Sequence, residues 1–364
     1  MDKSFIPQMA PLFEKEESNA VNEYMANVGF ITEFKKTKEF EDSIAKFTGA
    51  KHCFAVNNGT ISLSIAALAL DINPGDEVLV PNFTMVATPN SVKLLGANVI
   101  FIDVDPDTLW IDFDLAKKRI SKKTKAIFLV SSNGRYPKED IDDFIKFCRD
   151  KDVRVIEDSA QSLGSYYDDG VHMGLKGDIG SFSFSAPKII STGQGGALVT
   201  NNDELAFLIS RIKDFGRSGG GNDNHDFFGI NSKFTELQAC IGIEQMKKLP
   251  LRIKRKKQIW ERYRSKLEGV NGIKLIFNDC KFTAPWFIDC VVDKRSELMK
   301  FLNSKNIGSR VMYPPLNKQK IYRSDEDLIN SNFIGNHGLW LPSSVQLTDT
   351  EIDYITDQIK CFYA

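Results

Sequence analysis

Short apolar runs alternate with longer amphipathic stretches through the first two-thirds of the chain. "ISLSIAALALD" (61–71) reads as an apolar helix, "EVLVP" (77–81) as a short buried strand, and "PNSVKLLGA" (89–97) as a helix closed by glycine. "NVIFIDV" (98–104) is a second strand, and "DLAKKRIS" leads by helix to a third, "KAIFLVS" (125–131). "KEDIDDFIKFCRDKD" is an amphipathic helix before the strand "VRVIED" (153–158). Continuous apolar strands separated by helices predict a parallel or mostly parallel sheet covered on both faces. Near residue 235 the pattern changes. "TELQACIGIEQMKKL" reads as a helix stopped by Pro250, and "LRIKRKKQIWERYRSKLEG" as a second helix. Ile253, Trp260, Tyr263 and Leu267 recur there at helical spacing, so its lysines and arginines form the solvated face rather than a nucleic-acid patch. From about 270 the chain turns to short strands, helices and loops, as in a smaller α+β domain. The division expected is a large domain over 1–248 and a small one over 249–364.

Composition narrows the classes. The 364 residues are 42% hydrophobic with a formal net charge of −1, which gives no global pull toward nucleic acid or anionic membrane. No run reaches the length of a membrane span, and "MDKSFIPQMAPLFEKEESN" lacks the apolar centre of a signal peptide. Six cysteines without CxxC spacing read as reduced thiols of a cytoplasmic protein. Four histidines, none paired at ligand spacing, give no metal site.

The chemistry concentrates in "SFSFSAPKIISTGQGG" (181–196), where Lys188 stands in an apolar segment between an alternating strand and a glycine-rich turn. A buried lysine is costly unless neutral, paired or used covalently. Read alone, Lys188 is equally a surface lysine in a loop. Asp158 ends a predicted central strand, where ligands of open α/β sheets bind; read alone, it is equally a helix cap. Asn58, Gly59 and Thr60 form a turn before an apolar helix, where free amides and the helix dipole suit a phosphate. Phe83 follows a strand end and can lie over a flat ring or simply pack in the core.

Taken together, these segments identify a resemblance. "NNGTISL", "GDEVLVPNFTMVATPNSV", "VIEDSAQSLGS", "GDIGSFSFSAPKIISTGQGGALVTN", "GINSKFTELQACIGIEQM" and "LPSS" occur in one order across most of the chain. In these the chain resembles the DegT/DnrJ/EryC1/StrS nucleotide-sugar aminotransferases, pyridoxal 5'-phosphate enzymes of the aspartate-aminotransferase fold, and in particular their perosamine-synthase-like members. The resemblance implies an α/β large domain with a mostly parallel mixed sheet. It implies that Lys188 holds the cofactor as a Schiff base and Asp158 pairs with the ring nitrogen. Gln161 would bond the ring hydroxyl and Phe83 cover the ring, while Gly59, Thr60 and Ser183 hold the phosphate. Asn231 would reach that phosphate from the second subunit of a homodimer. Arg310, Tyr313 and Asn317, in "SRVMYPPLNKQ", would border the sugar nucleotide. The implied reaction moves an amino group from an amino acid, L-glutamate, to a nucleotide-linked 4-keto-6-deoxy hexose for surface polysaccharide.

The chain also departs from the family's pattern. Gln194 replaces the glutamate before two glycines, "SSNG" (131–134) replaces His-x-Tyr-Gly, "FITEFKK" replaces an early Ser-x-Gly segment, and Asn317 stands for a histidine. The rivals are a sugar dehydratase of the same family, in which histidine replaces the Schiff-base lysine, and a non-catalytic regulatory member. A Rossmann dehydrogenase lacks its GxGxxG here.

Overall fold

The computed structural model describes residues 5–27, 29–219 and 223–364. The first four residues of the opening segment read for a signal peptide lie outside them. In chain order the elements are α1 (Lys15–Ala26), α2 (Lys35–Thr48), β1 (His52–Val56), α3 (Gly59–Ala69), β2 (Glu77–Pro81), α4 (Ala87–Leu94), β3 (Asn98–Ile102), α5 (Phe113–Arg119), β4 (Thr124–Val130), α6 (Ile141–Asp150), β5 (Arg154–Asp158), β6 (Ile179–Ser183), β7 (Gly196–Thr200) and α7 (Asp203–Ile212). There follow α8 (Glu236–Leu267), β8 (Ile273–Leu275), β9 (Ile288–Val292), α9 (Arg295–Ser304), β10 (Arg310–Val311), α10 (Ile329–His337), β11 (Gly338–Leu341) and α11 (Asp349–Tyr363).

Seven strands form one sheet in the order β1-β7-β6-β5-β4-β2-β3. The β2–β3, β2–β4, β4–β5 and β5–β6 pairs are parallel; β7 runs antiparallel to both its neighbours. Helix α3 packs one face with Leu63, Ile65 and Ala66, all buried. On the other face Phe113 and Phe144 stack at 4.0 Å. Both faces are thus covered, as continuous apolar strands require. The alternation in "SFSF" resolves on β6: Phe182 and Phe184 are fully buried beside Phe40, while the Ser181 hydroxyl turns to Ser62 of α3.

The second sheet, β10-β11-β9-β8, is antiparallel throughout and packs on α8, α9 and α11. Pro250 does not stop the preceding helix, contrary to the sequence reading. Helix α8 runs unbroken for 32 residues, with the proline inside it. An interior proline costs about 3 kcal/mol. Opposing this, Leu249, Ile259, Trp260 and Tyr263 are buried along the same helix. Arg252 also bonds Gln245 across the proline at 2.6 Å, and both side chains reach the Leu12 carbonyl. The helix passes through residues 248 and 249, so no chain break marks the expected domain boundary.

Lys256 of α8 is buried, and its Nζ donates to the Ser343 carbonyl at 2.5 Å. Burial brings this amine from the ordinary 10.5 to about 7. From pH 7 upward to 10.5 the unfolded chain therefore keeps a proton that the folded chain has lost. Stability rises with pH in that window, and the penalty is fully present below it. Relative to Lys256→Met, the wild type should gain about 1.5 to 2 kcal/mol between pH 7 and 8.5. Denaturant unfolding of both proteins at the two pH values checks this; parallel behaviour would mean that the amine is not held neutral.

Candidate active site

The carboxyl ends of β1, β5 and β6 converge. Register places Asp158 between Val130 of β4 and Ser181 of β6. Asp158 is buried; it accepts Thr88 Oγ1–H at 2.7 Å and the Ala160 N–H at 3.2 Å. Burial pushes this carboxyl above its ordinary range, against the pull of those two donors and of Lys188. A cationic N–H donor brought to it would restore the carboxylate.

Beyond β6 the chain makes a loop back to β7. The loop is closed by Phe184 N–H to the Gly195 carbonyl at 2.8 Å and anchored to α8 through Arg252 on the Ile189 carbonyl. Lys188 rides on this loop. The residue is half-buried, but its Nζ lies 4.2 Å from the centre of the Trp286 ring, and burial lowers the amine to about 8 although Asp158 pulls it upward. Near neutral pH a usable fraction of this amine is unprotonated.

A third group lies at the start of α3. Asn58 caps the helix by accepting the Ile61 N–H at 2.9 Å, so the amides of Gly59 and Thr60 head the helix. A Cβ on Gly59 would lie 2.9 Å from the Ser183 Cβ, and one on Gly196 would meet the Asn58 carbonyl at 2.6 Å. Glycine at both positions leaves a backbone cradle beside the Ser183 hydroxyl. Pyridoxal phosphate calls for an anion seat, an acid partner for the ring nitrogen and an amine. The Gly59–Thr60–Ser183 cradle, Asp158 and Lys188 provide these three at one sheet edge, so the residues fit the group.

The other expected residues distribute unevenly. Gln161 is partly buried, and its Oε1 accepts the Asn133 N–H at 2.7 Å. Phe83 is buried, 5.7 Å from the ring of Tyr313, in a cluster with Trp286, Phe287 and Trp340. Tyr313 also meets Trp340 at 4.8 Å; burial pushes its phenol upward, with Arg310 and Asp158 acting on it as nearby charges. Arg310 is exposed, its guanidinium 5.5 Å from the Trp340 ring. Asn231 is exposed on a loop that pairs with Asp214.

Asn317 sits deeper than Arg310 and Tyr313. It is wholly buried, and its side chain is used up: Oδ1 accepts from Asn82, and Nδ2 donates to the Glu326 carbonyl. Its N–H also donates to Asn82 Oδ1 at 2.8 Å. These bonds strap the 310–319 loop to Asn82, the residue beside Phe83.

Four contributors were missed in the sequence. Trp286, Thr88 and Asn133 touch Lys188, Asp158 and Gln161 respectively. Arg135 makes a buried two-pronged ion pair with Asp289 of β9, joining the two sheets. The replacement "SSNG" and the aromatic pair in "APWF" were the available signals; both became meaningful only once the chain was folded.

Known proteins resemble this chain over nearly its whole length. The model of the DegT/DnrJ/EryC1/StrS aminotransferase family matches residues 11–360. A GDP-perosamine synthase of Vibrio cholerae is 31% identical over 98% of this chain and 99% of its own. Among solved structures, the aminotransferase TlmJ from Streptoalloteichus hindustanus superposes with a TM-score of 0.92 at 28% identity, covering 98% of each chain. The PLP form of the putative sugar aminotransferase Spr1654 from Streptococcus pneumoniae gives 0.90 at 26%, again covering 98% of each chain. Likeness along the whole chain, joined to a lysine, an aspartate and a backbone cradle at one sheet edge, makes this protein a member of the DegT/DnrJ/EryC1/StrS family and a pyridoxal-phosphate-dependent sugar aminotransferase.

Proposed function

We propose that the protein transfers the amino group of L-glutamate to the keto carbon of a GDP-linked 4-keto-6-deoxy hexose, in the cytoplasm, to make an amino sugar for surface polysaccharide. The observation that carries the reading is the convergence at one sheet edge of the Lys188 amine under Trp286, the buried Asp158 and the Gly59–Thr60 cradle. The near full-length likeness to a GDP-perosamine synthase supports the choice of sugar.

In this reading Gly59, Thr60 and Ser183 hold the cofactor phosphate, Asp158 its ring nitrogen, Gln161 its ring hydroxyl, and Phe83 packs against the ring. Bound pyridoxal phosphate supplies an electron sink that makes the hydrogen on the amino-bearing carbon acidic. Lys188 Nζ takes that proton and returns it at the carbon receiving the hydrogen, a task suited to an amine near 8. Arg310, on the exposed side of Tyr313, offers a fork to a phosphate or carboxylate. A dehydratase of this family carries histidine where Lys188 stands, so amino transfer is the better reading.

Asn231 acts from the second subunit of a homodimer. Its support is a rim of exposed aromatics on neighbouring segments: Phe30, Phe34, Phe215 and Phe228. The 31 carbonyl bonds the Glu236 N–H and Phe215 N–H bonds the 230 carbonyl, which ties those segments together. Such a patch on a folded chain marks an interaction surface.

The test is incubation with glutamate and 4-keto-6-deoxy hexoses linked to GDP, UDP or dTDP, with products identified by mass. GDP-linked amino sugar is expected. Arg310→Ala should weaken sugar-nucleotide affinity about tenfold, the effect of one lost charge-assisted contact, without weakening cofactor binding. Amination of only the UDP or dTDP substrates would refute the GDP assignment; loss of water in place of amination would favour the dehydratase.

A further inference from the structure

We propose that Asn133 is a positioning residue: by clamping the main chain of Phe287 it keeps the face of Trp286 against the Lys188 amine and shields that amine from water. The inference rests on the role of Lys188 given above and goes beyond it, to how the small-domain segment governs the free amine.

Asn133 lies just past β4, buried, in the left-handed region at φ 55° and ψ 26°. Every polar group of the residue is used. Its Oδ1 accepts the Phe287 N–H and its Nδ2 donates to the Phe287 carbonyl at 2.8 Å, so one amide side chain pairs with both main-chain groups of one residue. Its own N–H goes to Gln161 Oε1 at 2.7 Å, and its carbonyl accepts from Asn278 Nδ2 at 3.1 Å. Two bonds to one residue fix orientation as well as distance. The neighbouring Arg135–Asp289 pair holds the two sheets together but does not orient residues 286 and 287.

The oriented segment presents Trp286. Its ring stacks on Phe287 at 3.7 Å between centroids and meets Trp340 edge-on at 6.0 Å. Its Nε1–H donates to the Pro187 carbonyl at 2.8 Å, one residue before Lys188. The indole is thus fixed at two ends, by the clamp and by the lysine's own loop, and its face lies 4.2 Å from Nζ. Asp158 of β5 is the charge that acts on the amine, and Asp158 and Arg310 both act on Tyr313. An aromatic face favours the protonated amine, whereas exclusion of water favours the neutral one. Burial outweighs the pull of Asp158 on this amine, and the Trp286 ring is part of what buries it. Displacing Trp286 should therefore raise the amine's midpoint.

The experiment uses the full chain loaded with pyridoxamine 5'-phosphate, in which Lys188 is not bonded to the cofactor. Acetylation of Lys188 by trace acetic anhydride is followed by mass across pH 6 to 11. The wild-type midpoint is expected near 8. Asn133→Gly, which accepts the left-handed backbone without strain but removes the clamp, should raise it by about one unit, a tenfold loss of neutral amine at fixed pH. Trp286→Leu, which removes the ring without touching Asn133, should do the same, and it decides the matter if the glycine variant does not fold. A purely structural role would lower thermal stability and leave the midpoint unmoved. Unmoved midpoints in the folded variants, or a wild-type midpoint in the ordinary lysine range, overturn the proposal. Borohydride reduction of the pyridoxal-phosphate form separates the two failures: label on a lysine other than 188 removes the cofactor role itself, whereas label on Lys188 with unmoved midpoints removes only the clamp.

Discussion

Lys188→Ala is expected to lower amino transfer by ~10⁴-fold or more, the upper range for removal of a positioned proton carrier. The amine acts at a closed position: the Trp286 ring covers it, and burial holds it near 8. Alanine leaves no amine there to accept the proton, and the carboxyl that acts on that amine, Asp158, is occupied by Thr88 and Ala160. The fold should survive, because the loop is held by main-chain bonds at residues 184, 192 and 195 and by Arg252, none of which uses the lysine side chain. The same variant tests the dimer. Mixed with Asn231→Ala, itself disabled through the phosphate seat, it should regain some activity once subunits exchange, because one hybrid site then carries both native residues. Exchange without recovery would place Asn231 outside the partner's site, and near-native turnover of Lys188→Ala alone would dismiss the lysine as the proton carrier.

What could be read in the sequence follows from how local each cause is. The strand at 77–81 and the helices around 61–71 and 141–150 appear where the pattern put them, because burial on a covered sheet dictates their periodicity. The cradle at Gly59 was legible as a turn before a helix, but its second wall, Gly196, lies on a strand far along the chain and becomes adjacent only through the β1–β7 pairing. Pro250 misled because helix-breaking is a local rule, whereas the side chains of α8 hold the main-chain carbonyls of three distant segments. At Asn317 the fold adds what its residue type alone does not show. Its residue type suits a binding site, yet the partners that occupy its amide, Asn82 and Glu326, come together only in the fold. The Asn133–Phe287 pairing spans 154 residues, and no spacing rule could have suggested it.

Asp158→Asn should reduce turnover about 10²- to 10³-fold. An adjacent carboxylate raises the proton affinity of a cationic partner by about one to three units, and an amide gives up most of that. With the ring nitrogen less protonated, the electron sink weakens in proportion. The structural cost is smaller. Asparagine Oδ1 can still accept from Thr88, but its Nδ2 then faces the Ala160 N–H, two donors together, which should lower stability by about 1 kcal/mol. Comparison of pH profiles separates a charge role from a packing one. As pH falls the ring nitrogen of the variant regains its proton. Loss of the carboxylate also removes a charge that raises the Lys188 amine, so that amine stays neutral to lower pH in the variant than in the wild type. Both effects act in the same direction, and the ratio of wild-type to variant turnover should narrow steadily from pH 8.5 to 6.5. A ratio that is large but constant over this range would assign Asp158 to packing, and near-native turnover at every pH would remove it from the chemistry altogether.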